Sequence, residues 1–322
     1  TWAARLRPFD YADAALMVPD RPVREAALIY GIFGGTPRFL ATIRPGTTLR
    51  QHVTQVLLSP RGEVHLQLER IIEQEKGIRE PAEYRAVLTA IAHGHTLLQE
   101  IATAAGLADR VHVVRRAITV LENIDLVRRE RNFDAPAKAA YRYRIADNAV
   151  RFWFHFVAPN RSGLETGEAE SVWSTRVAPH LDTYMGLVFE RIVREAFDRH
   201  HTVWGLPLAM EWSRWEGHDR NRRSIELDVV ARLEDGRILV GEVKWSARPV
   251  DVGVHSALLR NLEDLGRSGQ GWAKDALDPA RSGGYLYVSA AGFTQRFREA
   301  VAEDRTVRLM SLEDLYKPGG LR

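Results

Sequence analysis

Apolar residues in the first half of the chain recur every three or four positions, a spacing that buries one face of an α-helix. Glycine and proline interrupt the pattern, most clearly at Gly34, Gly35 and Pro37. The sequence therefore predicts a helical first half divided by short turns. The predicted helical stretches are residues 21–43, 49–75, 83–94, 96–107 and 109–127.

The second half of the chain carries short apolar runs that are typical of strands. A long helical pattern over 171–201, interrupted near Pro179, precedes them, and shorter helical patterns cover 255–265 and 293–304. The order is helix, three strands, helix, strand, helix, strand, which predicts a mixed α/β sheet with flanking helices. The predicted strands are residues 201–212, 224–234, 237–245, 283–290 and 306–312.

Residues 83–147 combine three helical patterns with two short strands around a loop. This order is the layout of a winged helix. The chain then divides into three predicted domains: an all-α domain at 1–77, a winged helix at 78–162 and the α/β domain at 163–322. Between the last two, Phe152, Trp153, Phe154 and Phe156 are predicted to form a hydrophobic interdomain joint. A stacking platform for nucleobases is the alternative for these four residues.

Basic residues concentrate in the predicted winged helix. Its wing, residues 128–144, holds six basic and two acidic residues, although the whole chain has a net charge of only +3. Contact with the phosphates of duplex DNA is one interpretation; a wing that packs on protein and is otherwise solvated is the other. The candidate nucleic-acid-binding residues are Arg115, Arg116, Arg128, Arg129, Arg131, Lys138 and Arg142.

Composition narrows the chemistry. The chain has 322 residues and no Cys, which excludes disulfides, thiolate nucleophiles and Cys-ligated zinc. None of its five Lys follows Gly or precedes Ser or Thr, so no phosphate-binding P-loop is present, and we expect no ATPase activity from this chain alone. No apolar run approaches the ~20 residues that span a bilayer. No signal peptide precedes residue 10, so we expect a cytoplasmic protein without membrane contact.

The strand at 237–245 carries charge in an otherwise apolar run. Glu242 and Lys244 share one face of it because strand side chains alternate. A hairpin turn at 234–236 connects this strand to the one before, and pairing the two can bring Asp228 close to Glu242. Two buried carboxylates repel unless a cation lies between them, and oxygen ligands favour Mg²⁺ or Mn²⁺. Lys244 can then orient or activate a water, or offset charge on an attacked phosphate.

Glu190, on the predicted long helix, is a candidate third carboxylate if that helix packs over the sheet. The alternative for the whole set is a surface hairpin with cross-strand salt bridges. Two features favour the metal site. The run at 238–243 is apolar on both faces, as in a central strand, and helix-Glu, strand-Asp and strand-Glu-x-Lys form a complete set for metal-dependent phosphodiester cleavage.

The order Glu190, Asp228, Glu242-Val243-Lys244 resembles the PD-(D/E)XK nuclease superfamily. Three longer stretches, residues 30–40, 143–160 and 226–245, resemble the C-terminal half of the archaeal-type AAA+ ATPase family, which also occurs in bacteria. That half consists of a helical lid, a winged helix and a nuclease-like domain of unknown function. The chain departs from the superfamily at residue 227, which is Leu instead of Pro.

The resemblance implies metal binding by Asp228 and Glu242, a catalytic role for Lys244 and an accessory role for Glu190. It implies an ATPase core upstream of Thr1 or supplied in trans, and it allows an oligomer. The expected function is a Mg²⁺- or Mn²⁺-dependent DNA phosphodiesterase module with a winged helix. The alternative is a non-catalytic half of an AAA+ ATPase that binds DNA or protein through an inactive nuclease fold.

Overall fold

The computed structural model describes residues 7–74, 78 and 80–317. The chain forms two compact units. The first comprises the described residues of Thr1–Glu130 and Ala140–Leu181, and the second those of Arg131–Ala139 and Asp182–Arg322. The predicted domain boundary at residue 77 lies outside the described residues, and the three-domain division stays a prediction.

Five short helices open the first unit. Their ends are fixed by local signals, such as the Thr48 side chain, which accepts the N–H of Gln51 at 3.2 Å while the Gln51 side chain accepts the N–H of Thr48 at 3.0 Å. These helices are α1 (Tyr11–Leu16), α2 (Val23–Phe33), α3 (Pro37–Leu40), α4 (Leu49–Val56) and α5 (Glu63–Arg70).

The next elements are the three helices and hairpin that the sequence predicts. The amphipathic third helix buries Val114, Ala117 and Leu121 and exposes Arg115 and Arg116. An isolated bridge between Leu97 and Arg142 adds a third chain segment to the hairpin. The elements are α6 (Pro81–Ala92), α7 (Leu98–Ala104), α8 (Val111–Asn123) and the antiparallel strands β1 (Val127–Glu130) and β2 (Arg142–Ile145).

The four aromatic residues predicted as a joint are buried within the first unit. Phe152 ends helix α9 (Asn148–Phe152), and the other three lie in a π-helical turn, Trp153–Val157. Trp153 meets the His65 ring edge-on at 4.7 Å between centroids. Pro159 accounts for this irregular geometry. It has no N–H to donate, and its ring would clash with the carbonyl one turn earlier in a regular α-helix. The chain therefore forms a π turn and then a 3₁₀ turn.

The same Trp-x-x-x-Val-Ala-Pro spacing returns twenty residues later. After helices α10 (Arg161–Glu165) and α11 (Ala169–Val172), Trp173–Val177 forms a second π turn, and Ala178–His180 a second 3₁₀ turn. The predicted interruption near Pro179 is therefore present.

The second unit is built on one five-stranded mixed sheet with strand order β3-β4-β5-β6-β7. Strands β3, β4 and β5 pair antiparallel, whereas β5, β6 and β7 pair parallel, so the predicted mixed sheet with flanking helices is confirmed. The elements are α12 (Leu181–His200), β3 (Ala209–His218), β4 (Ser224–Leu233), β5 (Ile238–Lys244), α13 (Gly253–Arg267), α14 (Gly271–Leu277), β6 (Ser282–Ser289), α15 (Gln295–Ala300), β7 (Val307–Ser311) and α16 (Leu312–Tyr316).

Two details differ from the sequence prediction. The first strand begins at Ala209 and not near 201, because His201 and Leu206 close a turn after α12 in which Gly205 has a positive φ of 66°. Helices α14 and α16 are additional elements; Trp272 of α14 is buried and packs edge-on against Phe133 at 5.6 Å between centroids.

The centre of the sheet is tightly packed. A Cβ on Gly241 of β5 would lie 2.1 Å from the carbonyl oxygen of Leu286 on β6, so only glycine fits there. Apolar side chains of α13, α14 and α15, including Leu262, Trp272 and Phe297, form a core with the sheet. None of the helices formed by the described residues has the length and apolar character that crossing a bilayer requires.

Candidate functional site

Asp228 lies on β4 at a β-bulge. Between the positions paired with Ser213 and Trp215, β4 contributes one residue more than β3. A bulge of this kind turns side chains away from regular alternation and is common beside functional sites. The Asp228 Oδ2 atom accepts the main-chain N–H of Val243 at 3.0 Å, so the carboxylate takes the place of a ladder hydrogen bond where β4 and β5 separate.

Glu242 and Lys244 meet Asp228 from the end of β5. The Lys244 Nζ lies 2.8 Å from Asp228 Oδ2 and 2.5 Å from Glu242 Oε2. The Asp228 and Glu242 side chains are only 10% and 11% exposed, whereas the Lys244 side chain is 40% exposed. Two buried carboxylates thus share one ammonium that also reaches solvent.

The electrostatics of this carboxylate–lysine cluster (Asp228, Glu242 and Lys244) are unequal. Burial, followed by the charge of Asp228, raises the pKa of Glu242 to about 7 despite its ion pair with Lys244. Burial also acts on Asp228, but Lys244 and the Val243 N–H outweigh it and hold the pKa of Asp228 below its usual range. Burial would lower the pKa of Lys244, but the two carboxylates raise it above its usual range. The fold thus favours the ionised form of Asp228 and the protonated form of Glu242.

The donor chemistry of the cluster fits a divalent cation with oxygen ligands. Burial and the charge of Asp228 disfavour the ionised form of Glu242 even beside Lys244, and a bound cation would favour that form. Within the described ranges, no three His, Asp or Glu side chains form a metal-binding group. Mg²⁺ is commonly held by only one or two carboxylates together with water and substrate phosphates. Asp228 and Glu242 would be its protein ligands.

Glu190, predicted as a third acid, lies on α12 beside Arg214 of β3, with Oε2 3.3 Å from Nη1. Arg214 also pairs with Glu226 and, at 3.6 Å, with Glu216. Its positive charge contributes to the low pKa of Asp228. The described residues thus surround Arg214 with acids and do not assemble Glu190 with Asp228 and Glu242 into a three-ligand metal group. The accessory role of Glu190 stays a prediction.

Strand β6 adds two residues that the sequence analysis missed. In the parallel register, Tyr287 is opposite Glu242 and Ser289 is opposite Lys244. The Tyr287 hydroxyl lies 2.7 Å from His255 Nδ1, and burial, together with the Glu242 charge, raises the pKa of Tyr287. The Ser289 hydroxyl is buried and has no hydrogen-bond partner in the part of the chain that the structure describes. Only the parallel register places both beside the site, and nothing local in the sequence signals it.

The candidate DNA-binding residues of the first unit are exposed or half-buried, and several have acidic partners. Arg116 lies 3.5 Å from Glu83, Arg128 2.9 Å from Glu130, and Arg129 3.5 Å from Glu122. Arg115 is exposed on α8. Arg142 Nη1 donates to the Thr96 hydroxyl at 3.1 Å. These ion pairs reduce the free positive charge of the surface.

Arg131 and Lys138 belong to the second unit, because Arg131–Ala139 groups with it. Lys138 is exposed, and Arg131 Nη2 donates to the Ala137 carbonyl at 2.9 Å. Phe133 anchors this loop in the core of the second unit. The residues predicted as one wing surface are therefore divided between the two units.

Comparison with known proteins places the cluster in a region of unknown function. Residues 153–254 match DUF234, described as archaeal and bacterial proteins of unknown function. The chain is also 26% identical over 252 residues to an uncharacterized protein of Methanocaldococcus jannaschii, a match that covers 76% of this chain and 53% of that protein. The chain thus spans about half the length of this relative. No solved structure matches it significantly.

Proposed function

We propose that the second unit is a metal-dependent DNA phosphodiesterase module of the PD-(D/E)XK type. The observation that supports this most strongly is the carboxylate–lysine cluster, in which two carboxylates about one-tenth exposed share a half-exposed ammonium beside a β-bulge. A surface salt-bridge hairpin would leave these carboxylates solvated. Burying such charges costs free energy that their pairing offsets only in part, so their presence in a buried site favours a functional role.

Each residue has a distinct proposed role. Asp228 and Glu242 would hold Mg²⁺ or Mn²⁺, which supplies Lewis-acid polarisation of a phosphate when bound. Lys244 reaches solvent and can offset negative charge that develops on an attacked phosphate or orient a water beside it. Glu190 would act through Arg214, whose charge adds to that of Lys244 in lowering the pKa of Asp228.

The first unit would supply DNA binding and coupling. Helices α6, α7 and α8 with strands β1 and β2 have the winged-helix order, and Arg115 is exposed on α8. The resemblance to AAA+ ATPases makes an ATPase core the proposed partner, in a cytoplasmic setting. The partner, the location and any oligomer rest on that resemblance.

A specific observation also favours a second candidate, a regulatory module that binds DNA or protein without cutting. Lys244 already lies within ion-pair distance of both carboxylates. No three-ligand metal group occurs within residues 7–74, 78 and 80–317. In this alternative the ammonium occupies the position that a metal takes in an active enzyme.

Cleavage of supercoiled plasmid and of single-stranded DNA in Mn²⁺ tests the proposal. The unaltered chain is compared with Asp228→Ala, Lys244→Ala and Glu190→Gln, and Lys274→Ala serves as an exposed lysine control on α14. Nicking that D228A and K244A abolish, and that K274A retains, supports a nuclease centred on the cluster. If the unaltered chain binds DNA but does not cut it, the regulatory candidate is favoured. Adding the ATPase core then tests whether cutting requires it.

A further inference from the structure

The turn between β3 and β4 is a compact basic segment, residues 219–223, called here the basic turn. It contains Arg220, Arg222 and Arg223 and one acid, Asp219. The Asp219 side chain is only 5% exposed and faces inward. It accepts the N–H groups of Asn221 at 2.8 Å and Arg223 at 2.9 Å, so the only negative charge of the turn is used in holding its shape.

Helix α13 fixes the basic turn from one side. The main-chain N–H of Arg220 donates to the Ser268 hydroxyl at 2.9 Å, just beyond the end of the helix. The Arg223 guanidinium donates to Asp264 at 2.8 Å and to Asn261 at 3.2 Å. Two of the three arginines are therefore used to attach the turn, which makes it a preorganised segment.

Arg222 stands apart from its neighbours. It is exposed, and within the described residues its guanidinium has no hydrogen bond or ion pair. Its backbone has a φ of 62°, the left-handed region that disfavours every residue with a Cβ. Asparagine or glycine would suit this position better, so an arginine here carries backbone strain although, among the described residues, its side chain has no hydrogen bond or ion pair. Strain of this kind is concentrated at functional sites.

The basic turn and the carboxylate–lysine cluster lie at the same end of the sheet. Strand β4 starts directly after the turn, and β5, which is antiparallel to it, ends there with Lys244. Six residues separate Arg222 from Asp228, which corresponds to about 20 Å if that segment is fully extended. Successive base pairs rise 3.4 Å along the axis of duplex DNA, so this reach covers at most about six base pairs along the axis.

We propose that the basic turn is a phosphate-contact site for the nucleic-acid backbone, with Arg222 as its contact residue, located within about half a helical turn of the scissile position along the axis. This inference rests on the proposed function, because the cluster defines the nucleic acid as the ligand. A phosphodiester backbone suits the geometry, since it offers a charge at regular intervals along the path from cluster to turn. Phosphate contacts position a substrate and do not read its sequence.

The test is a salt titration of binding, done in EDTA so that metal and cleavage play no part. The full chain and its variants are measured with a duplex of about 30 base pairs, long enough for several phosphate contacts, with the corresponding single strand, and with polyglutamate as an acidic polypeptide probe. Arg222→Gly removes the charge at a position where glycine is favoured, and Arg222→Lys keeps it. The control is Arg305→Gly; Arg305 is also exposed and has no partner among the described residues, and it precedes β7 at the opposite end of the sheet.

We expect R222G to reduce the slope of log K against log salt by about 0.9, the value for one lost phosphate contact on duplex DNA. In 0.1 M salt this corresponds to roughly eightfold weaker binding. R222K and R305G should behave as the unaltered chain does. The melting temperature of R222G should not fall, so weaker binding cannot be attributed to unfolding.

Three results would overturn the proposal: a parental slope in R222G, an equal loss in R305G, or binding of polyglutamate but not of nucleic acid. The last would point to an acidic protein partner. The two proposals fail separately. A chain that binds through Arg222 but does not cut DNA, even with the ATPase core added, contradicts the proposed nuclease and leaves this site supported. If cutting depends on Asp228, while R222G cuts normally and has the same salt slope as the unaltered chain, the nuclease is supported and the Arg222 site is contradicted.

Discussion

Glu242→Gln is the most informative change for the electrostatics of the cluster. Glutamine has nearly the same shape and can still accept a hydrogen bond from Lys244, but it carries no charge. The Asp228–Lys244 ion pair, 2.8 Å long, remains. The variant therefore isolates the free-energy cost of burying a second ionised carboxylate.

The magnitude follows from the pKa of Glu242, which rises from 4.5 to about 7 on burial. Because the folded chain binds this proton more tightly than the unfolded chain, the associated stability is fully present below pH 4.5 and is lost as pH rises through about 7. At about 1.4 kcal/mol per pH unit, the loss reaches about 3 kcal/mol above about pH 8. The glutamine of E242Q cannot ionise, so this variant should be more stable by about 3 kcal/mol at about pH 8 and by less than about 1 kcal/mol at about pH 5.

Urea denaturation at pH 5, 6, 7 and 8, followed by tryptophan fluorescence, measures this difference; Trp245 directly follows the cluster. Glu263→Gln is the control, since Glu263 is half-exposed in an ion pair with Arg267 on α13 and should give only a small change in stability. A difference between E242Q and the unaltered chain that does not grow with pH would refute the reasoning. So would greater stability of the unaltered chain at pH 8.

Further outcomes follow from single positions. Gly241→Ala should destabilise the second unit by about 2 kcal/mol or more, because the new Cβ would overlap the Leu286 carbonyl. Gly253→Ala, which has open space around it, should have little effect on stability. Denaturation midpoints compare the two variants. Arg222→Gly should raise stability by about 1 kcal/mol by relieving the left-handed backbone, as a thermal melt would record, and a lower melting temperature would contradict this. At a hundred times its Kd, Mg²⁺ should stabilise the chain by about 2.7 kcal/mol. Asp228→Asn should abolish that gain, and equal Mg²⁺ stabilisation in D228N would remove Asp228 from the ligands.

Local pattern was sufficient for much of the architecture. The helical spacing of the first half and the strand runs of the second predicted the elements and the mixed sheet. The spacing of apolar residues within one element is enough to show which of its faces is buried. The Asp228, Glu242 and Lys244 cluster was also accessible, since strand alternation and a two-strand hairpin relate residues only sixteen apart. The interruption at Pro179 followed from proline's missing N–H.

Tertiary structure alone decided which distant residues meet. The pairing of β5 with β6 places Tyr287 and Ser289 beside the cluster, although more than forty residues separate these strands' ends. Packing sets Glu190 against Arg214, and the segment Arg131–Ala139 joins the second unit through the buried Phe133. The left-handed backbone of Arg222 contradicts its local preference and is held by the bonds around Asp219 and α13. Periodicity reports which face of an element is buried; register, bulges and long-range pairing depend on the free energy of the whole packed chain, and no short stretch of sequence contains it.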